Sequence, residues 1–123
     1  MALVLCTGVD KVLLETRKLI LEAAGHTVIT VMDETSLLSA CKKHSFDIAV
    51  VGQTVSQKMK HRVATLIKQH CPVVKILELY PPYTGKALDY ADMWLLTPAD
   101  VPHDLADRVN ELAEKAKQGR AET

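Results

Sequence analysis

The stretch "FDIAVVGQTVS", Phe46–Ser56, decides the fold of this 123-residue chain. Its centre, Ile48 to Val51, is continuously apolar instead of alternating. That pattern is typical of a strand that is covered on both faces in the middle of a parallel sheet. Gly52 follows directly. In open α/β sheets, binding and chemistry concentrate just beyond the carboxyl ends of the strands, so Gly52 stands where a functional side chain would be expected.

The rest of the chain alternates short β-branched runs with amphipathic segments, which indicates βαβ units around a parallel sheet. Strands are predicted at 2–6, 26–32, 47–51, 73–79 and 93–96. Helices are predicted between them, with Pro72 ending the third helix and Pro102 opening the last. Right-handed crossovers then give an α/β fold, a three-layer α/β/α sandwich with the flavodoxin-like strand order 2-1-3-4-5.

The connection between the fourth and fifth strands is poor in helix-forming residues. "YPPYTGKALDYAD", 80–92, holds two prolines and a glycine, which leaves about seven residues for a helix, or two turns. A shortened fourth helix is therefore expected. The domain is expected to span 1–117, and "KQGRAET" has no apolar anchor, so 118–123 is predicted to be a disordered tail.

Apolar residues at three- and four-residue spacing predict which helix faces pack on the sheet. These faces comprise Val12, Thr16, Leu19, Ile20 and Ala23 in the first helix, Met59, Val63, Leu66 and Ile67 in the third, and Leu105, Val109, Leu112 and Ala116 in the last.

Charge and composition exclude several classes of function. Fifteen Lys plus Arg balance fifteen Asp plus Glu, so no global field favours nucleic acid or an anionic membrane. The opening "MALVLCT" lacks a basic n-region, and no apolar run approaches a membrane span. A cytoplasmic protein with no nucleic-acid or membrane partner is expected. The basic run Lys58, Lys60, Arg62 is interpreted as a solvated helix face.

Three widely spaced cysteines, Cys6, Cys41 and Cys71, form neither a disulfide framework nor a CxxC metal site. They are predicted to be reduced thiols, mostly buried.

Two segments resemble response-regulator receiver domains of the CheY-like family. "LLETRKLILEAAGHTVITVMDETSLLSACKKHSFDIAVVG", 13–52, resembles the receiver's first helix through its third strand. "ADMWLLTP", 91–98, resembles the family's "GADDYLxKP". The resemblance covers about residues 3–114.

The resemblance implies phosphoryl transfer from a kinase phosphohistidine to an aspartate that ends the third strand. That chemistry needs an acidic pair for Mg²⁺, a hydroxyl after the fourth strand and a lysine after the fifth. The matching positions here hold other residues: Gly52 for the phosphoacceptor, Thr7 and Gly8 for the acidic pair, Tyr80 (or Leu79, one register earlier) for the hydroxyl, and Thr97 for the lysine. Asp10, two residues beyond the acidic pair, is predicted to be a helix N-cap. The chain is therefore interpreted as a degenerate pseudo-receiver that lacks the phosphoacceptor.

The expected function is a stand-alone, phosphorylation-independent protein-interaction module in bacterial signal transduction. It is expected to be no enzyme and to use no metal or cofactor. Receivers often bind partners through the fifth strand and last helix, so the candidate partner surface comprises Trp94, Tyr80 and Tyr83. The partner is expected to be a signalling or regulatory protein, with a homodimer through the same face as a further expectation.

Two alternatives remain open from the sequence. A small ligand or nucleotide could occupy the crevice at the strand ends, where Gly8, Gly52 and Gly85 leave room, although nucleotide motifs are absent. "LCTGVDK" also faintly resembles a phosphocysteine loop, with Cys6 as nucleophile, because a helix N-terminus lowers a thiol pKa and binds phosphate.

Overall fold

Parallel strands form the sheet around which the chain folds. The computed structural model describes residues 2–71, 73–97 and 103–121, with side chains described as far as Ala116. Within these ranges the strands are β1 Leu3–Thr7, β2 Thr27–Val31, β3 Ile48–Val51, β4 Lys75–Tyr80 and β5 Met93–Leu96. All neighbours pair in parallel, in the order β2-β1-β3-β4-β5. The predicted topology is confirmed, and β3 lies at the centre with every residue buried.

Helices lie on both faces of this sheet. They are α1 Lys11–Ala23, α2 Glu34–Lys43, α3 Gln57–His70 and α4 Asp104–Ala121. Side-chain N-caps fix three starts: the Asp10 carboxylate accepts from the Val12 and Leu13 amides, while Asp33 and Ser56 cap α2 and α3. The N-cap predicted at Asp10 is confirmed.

Two apolar layers hold the helices to the sheet, because alternate strand residues point to opposite faces. One layer joins α2 and α3 to strand residues such as Val51 and Ile76. The other joins α1 and α4 to residues such as Val50 and Leu77. The three-layer sandwich is therefore confirmed. All four apolar positions predicted in the last helix are buried in α4.

The buried face of α1 differs from the predicted one. Val12 and Leu19 are 73% and 67% exposed, whereas Leu14, Arg17 and Leu21 are buried. The prediction from apolar residues alone was wrong because the helix face that packs on the sheet has a charged residue, Arg17, between Leu14 and Leu21. In α3, Met59 is likewise 44% exposed.

The fourth crossover holds no helix at all. Residues 81–92 form turns between β4 and β5, so the expected shortened helix is replaced by a compact loop. The physical reason lies in β4, where the Glu78 carboxylate accepts hydrogen bonds from the amides of Ala87 and Leu88, each at 2.8 Å. Those two amides are thus bonded without a helix.

Some of the predicted domain and helix boundaries fall outside the residues that the structure describes. The expected domain end at 117 falls inside α4, whose backbone is helical to Ala121. The predicted helix boundaries at Pro72 and Pro102, and the tail residues 122–123, lie outside the described residues. No helix in the described ranges is long and apolar enough to cross a membrane.

The cysteines are not all reduced, contrary to the prediction. Cys41, in the last turn of α2, forms a disulfide with Cys71, directly after α3, across a Cα separation of 5.8 Å. Cys6 is a buried free thiol. Thirty residues separate the bonded pair in sequence, and only the packing of α2 beside α3 brings them together.

Candidate functional site

The ends of β1 and β3 meet at the carboxyl edge of the sheet. The Gly52 amide donates to the Thr7 carbonyl at 3.1 Å, and the Gly8 amide donates to Val31 at 3.3 Å. The Thr7 hydroxyl donates to the Val50 carbonyl at 3.0 Å. Three of the predicted positions, Thr7, Gly8 and Gly52, are therefore brought together, but the only hydroxyl among them is used within the sheet.

The remaining two positions end β4 and β5 at the same edge. The Thr97 amide donates to the Tyr80 carbonyl at 2.9 Å, with the Thr97 hydroxyl 3.4 Å from the same oxygen. Thr97 is buried and Tyr80 half-buried. Thr97, which stands where the receiver family has lysine, supplies no positive charge there.

Gly52 is required by the close approach of neighbouring chain. A Cβ at this position would lie 2.9 Å from the Thr7 carbonyl oxygen and 3.1 Å from Nη1 of Arg17. Among the described glycines, only Gly25 and Gly85 have positive φ. Gly52 therefore serves close packing rather than an unusual backbone conformation.

Arg17 places a buried positive charge beside Gly52. Arg17 is only 7% exposed, and its Nη2 donates to the Gln53 side-chain oxygen at 2.9 Å. In the described part of the chain no carboxylate lies within ion-pair distance of it. Burial lowers the pKa of Arg17, and Cys6 and Asp10 act in the opposite direction. A guanidinium retains its charge even so.

Sequence reasoning missed Arg17, although one signal was available. The residue follows Leu14 by three positions and precedes Leu21 by four, so it shares their helix face. The consequence for the site is large. Mg²⁺ is usually bound through carboxylate oxygens and waters, and here the Arg17 guanidinium lies beside Gly52 instead.

Cys6 lies nearby but is a poor nucleophile. Its residue has no exposed area, and burial raises the pKa of its thiol to about 12, with the Arg17 charge opposing the shift. The reactive species of a cysteine is the thiolate, which is nearly absent at neutral pH at such a value. The phosphocysteine alternative is therefore not supported.

A second buried cation lies on the other face of the sheet. Lys60 of α3 is 1% exposed and Glu78 of β4 is 0% exposed, with Nζ 2.8 Å from Oε2. The same Nζ donates to the Leu79 carbonyl at 2.8 Å. The interpretation of Lys60 as part of a solvated face was wrong, because its ammonium group has two partners in the interior.

The predicted partner residues lie within the loop between β4 and β5, or on the two strands that the loop connects. The Trp94 ring is half-buried against the α2/α3 layer, and its Nε1 donates to the Leu88 carbonyl at 2.8 Å. Lys86 Nζ lies 4.7 Å from the Trp94 ring centroid and 5.8 Å from that of Tyr80. Tyr83 is 86% exposed. Trp94 thus anchors the loop, and Tyr83 faces solvent.

An apolar pocket of about 180 Å³ opens beside the Thr7–Gly8 end of β1. It lies between the first turns of α2 and α3 and continues to the end of β2. Its lining residues are mainly apolar, and Asp33 and Glu34 are also among them. Neither lysine nor arginine is among the described residues that line it, so the pocket offers the phosphates of a nucleotide no side-chain cation.

Three side chains at the start of α4 have the spacing of metal ligands. Ligand atoms of His103, Asp104 and Asp107 lie within 4.8 Å of one another. His103 and Asp107 are well exposed, with Nε2 and Oδ2 3.7 Å apart. Exposed groups of this kind commonly pair on a helix surface without an ion.

Solved structures with the same architecture are numerous, whereas no protein-family model and no curated protein matches the chain. A response regulator from Thermotoga maritima is 19% identical with a TM-score of 0.77, covering 93% of this chain and 98% of its own. A CheY-like receiver domain protein from Methanospirillum hungatei is 18% identical with a TM-score of 0.79, covering 97% and 98%.

A larger protein, NtrX from Brucella abortus in complex with ADP, matches at 16% identity and a TM-score of 0.83. That match covers 98% of this chain but only 28% of the NtrX chain. At these identities the likeness is one of fold. The sheet order, the two helical layers and these matches agree, and the chain has the fold of response-regulator receiver domains.

Proposed function

We propose that this chain is a signalling module that works through protein binding and without phosphorylation. The observation that carries the proposal is the pairing of Gly52 with the buried cation of Arg17, 3.1 Å from where a side chain at position 52 would begin. No carboxylate nucleophile is present there, and the guanidinium would repel Mg²⁺. On this proposal the chain catalyses no reaction and needs no metal or cofactor.

Asp10, the acid closest in sequence to Thr7 and Gly8, does not rescue a metal site. Its carboxylate accepts hydrogen bonds from two α1 amides, at 3.0 and 3.2 Å. A single carboxylate that caps a helix is a poor ligand set for Mg²⁺, which favours octahedral coordination with carboxylates and waters.

The partner surface is proposed where a crossover helix is missing. Trp94, Tyr80 and Leu96 share the sheet face that carries α2 and α3, since Trp94 pairs with Glu78 and Leu96 with Tyr80 in register. Within the described residues, the turns of 81–92 stand here in place of a crossover helix, and Leu96 is 45% exposed. We call Tyr80, Tyr83, Lys86, Trp94 and Leu96 the open face.

Two features of the open face suit a protein partner. Aromatic residues are enriched at protein interfaces, and Tyr83 is 86% exposed while Tyr80 and Trp94 are half-buried. β5 is also an edge strand of the sheet, and it pairs with no further strand within the described residues, so its outer backbone groups suit pairing with another chain. A homodimer through β5 and α4 is one form that such a partner could take.

Phosphorylation independence is tested by amide NMR spectra recorded with Mg²⁺ and beryllofluoride, and separately with Mg²⁺ and acetyl phosphate. No saturable shift is expected at Thr7, Gly8 or Gly52. Saturable shifts at those amides would overturn this half of the proposal.

The partner surface is tested by cross-linked capture from the native cell. Tyr83→Ser should abolish capture without affecting the fold, because the ring is 86% exposed. Val73→Ser, at another exposed apolar site, is the matched control and should leave capture unchanged. Trp94→Ala should also reduce capture, but its loss of the Leu88 hydrogen bond requires a parallel check of stability. Capture that survives Tyr83→Ser and Leu96→Lys would exclude the open face.

A further inference from the structure

The apolar pocket beside β1 is about the size of one large side chain. Its volume is about 180 Å³. Pockets for drug-sized molecules typically measure about 300–1,000 Å³, whereas a cavity of about 150 Å³ binds benzene. The pocket therefore matches a leucine or phenylalanine side chain better than a metabolite or nucleotide.

Three exposed apolar side chains surround the mouth of the pocket. Val9, Met32 and Met59 all line it, and they are 57%, 47% and 44% exposed. Deeper in, Leu37 and Val55 are buried. Exposed apolar groups around an apolar recess are typical of a protein interface in which one anchor is surrounded by flatter contacts.

Two acidic residues, Asp33 and Glu34, are among the residues that line the pocket. Glu34 forms an exposed ion pair with Arg62, with Oε1 2.7 Å from Nε. Asp33 forms no ion pair within the described ranges, and its carboxylate accepts from the Ser36 amide at 2.7 Å. That hydrogen bond holds the pKa of Asp33 below its usual value, so the group is ionised at neutral pH. A lysine or arginine of a partner would complement it.

We infer that this pocket is an anchor site for a basic protein segment. The segment inserts one leucine- or phenylalanine-sized side chain between α2 and α3 and places a lysine or arginine beside Asp33. The site depends on the proposed function only in that the partner is a protein, and it lies apart from the open face.

The test uses a random 12-residue peptide library displayed on phage, selected on the full chain and then synthesised. Enriched peptides should share an apolar anchor next to a basic residue. Val63→Phe, which puts a ring into the pocket, should weaken their binding about tenfold or more. Asp33→Asn, which keeps the helix cap, should weaken it about threefold, the size of an exposed ion pair. Val73→Phe and Asp89→Asn are the matched controls and should change nothing.

A second variant protects the test against misfolding. Met59→Lys alters only the exposed mouth and should weaken binding as Val63→Phe does, because it adds a charge that repels the basic segment. Failure to enrich such peptides, or binding that is unchanged by both variants, would overturn the anchor site. Indole that binds in the pocket while no peptide does would also overturn it, in favour of a small ligand.

The outcomes separate this site from the proposed function. Beryllofluoride shifts at Gly52 with normal peptide behaviour would remove phosphorylation independence and leave the anchor site standing. Failure of the peptide selection, together with cellular capture that is lost in Tyr83→Ser, would remove the anchor site and leave the open face as the proposed partner surface.

Discussion

Two buried cations lie on opposite faces of the same sheet, and they have very different surroundings. Lys60 on the α2/α3 face contacts a carboxylate and a backbone carbonyl, both at 2.8 Å. Arg17 on the α1/α4 face donates to one side-chain amide, that of Gln53. Charged groups in the interior cost free energy unless they are paired and hydrogen-bonded. Lys60 meets that condition and Arg17 meets it only in part.

The difference separates a structural ion pair from a buried cation that has no carboxylate partner among the described residues. The Glu78 carboxylate bonds both Lys60 and the loop that replaces a crossover helix, so its network holds β4, α3 and the loop together. Arg17 instead fills the space beside Gly52. Its guanidinium has one side-chain hydrogen-bond partner, Gln53, so little stabilisation is expected from the charge.

The largest predicted effect is on the Lys60 side. Glu78→Ala should lower the free energy of unfolding by about 3–5 kcal/mol, because it leaves a buried ammonium group unpaired. Two loop amides lose their acceptor as well. Urea unfolding followed by circular dichroism measures the change.

The double variant Lys60→Met with Glu78→Leu is the control for that prediction. Replacing both charges by apolar groups is often nearly neutral, so the double variant should be more stable than Glu78→Ala. A double variant as unstable as the single one would show that the loop amides, and not the buried charge, carry the effect.

The α2/α3 face also has the disulfide between Cys41 and Cys71. Reduction should lower the free energy of unfolding by about 3–4 kcal/mol, since the bond closes a loop of about thirty residues in the unfolded chain. Urea unfolding with and without dithiothreitol measures the effect. A variant with Cys41→Ala and Cys71→Ala should not respond to the reductant, and an equal response there would show that the reductant does not act through this disulfide.

The sheet could be predicted from sequence because strand signals are local. Continuous apolar letters at 48–51 indicate a central strand whatever surrounds them. Prolines and a glycine between β4 and β5 likewise predicted an abbreviated crossover. The complete absence of a helix there depends on Glu78, whose burial follows from α3 and the loop packing around it. One letter in a strand does not carry that information.

From the sequence, the candidate site could be predicted only through the side chains that it lacks in comparison with receiver domains. Thr7, Gly8, Gly52 and Thr97 could be placed by resemblance, and Thr7, Gly8 and Gly52 do meet at one edge of the sheet. Arg17 was overlooked because the apolar letters Val12 and Leu19 suggested another helix face. A charged residue is assigned to the interior only when its neighbours in space are known.

A smaller effect is expected at Gly52 itself. Gly52→Ala should cost about 1–3 kcal/mol by overpacking, because the added carbon meets a backbone oxygen at 2.9 Å. Gly8→Ala is the matched control, because its added carbon would lie 3.3 Å from a side-chain carbon of Leu14 and would meet no backbone atom within 4 Å among its three nearest atoms. Equal unfolding free energies for the two variants would contradict the close approach.

Gly52→Asp meets the same obstacle and, with no acidic pair, should not accept phosphate from acetyl phosphate.

The smallest effect is expected at Arg17. Arg17→Met removes one hydrogen bond to Gln53 but also a desolvated charge, and these contributions oppose each other. The free energy of unfolding should therefore change by less than about 1 kcal/mol, against a loss of about 3–5 kcal/mol for Lys60→Met, which leaves Glu78 buried and unpaired. Urea unfolding of both methionine variants makes the comparison directly. A loss of 3 kcal/mol or more at Arg17 would mean that its charge is stabilised as well as that of Lys60, and the two faces would no longer differ in kind.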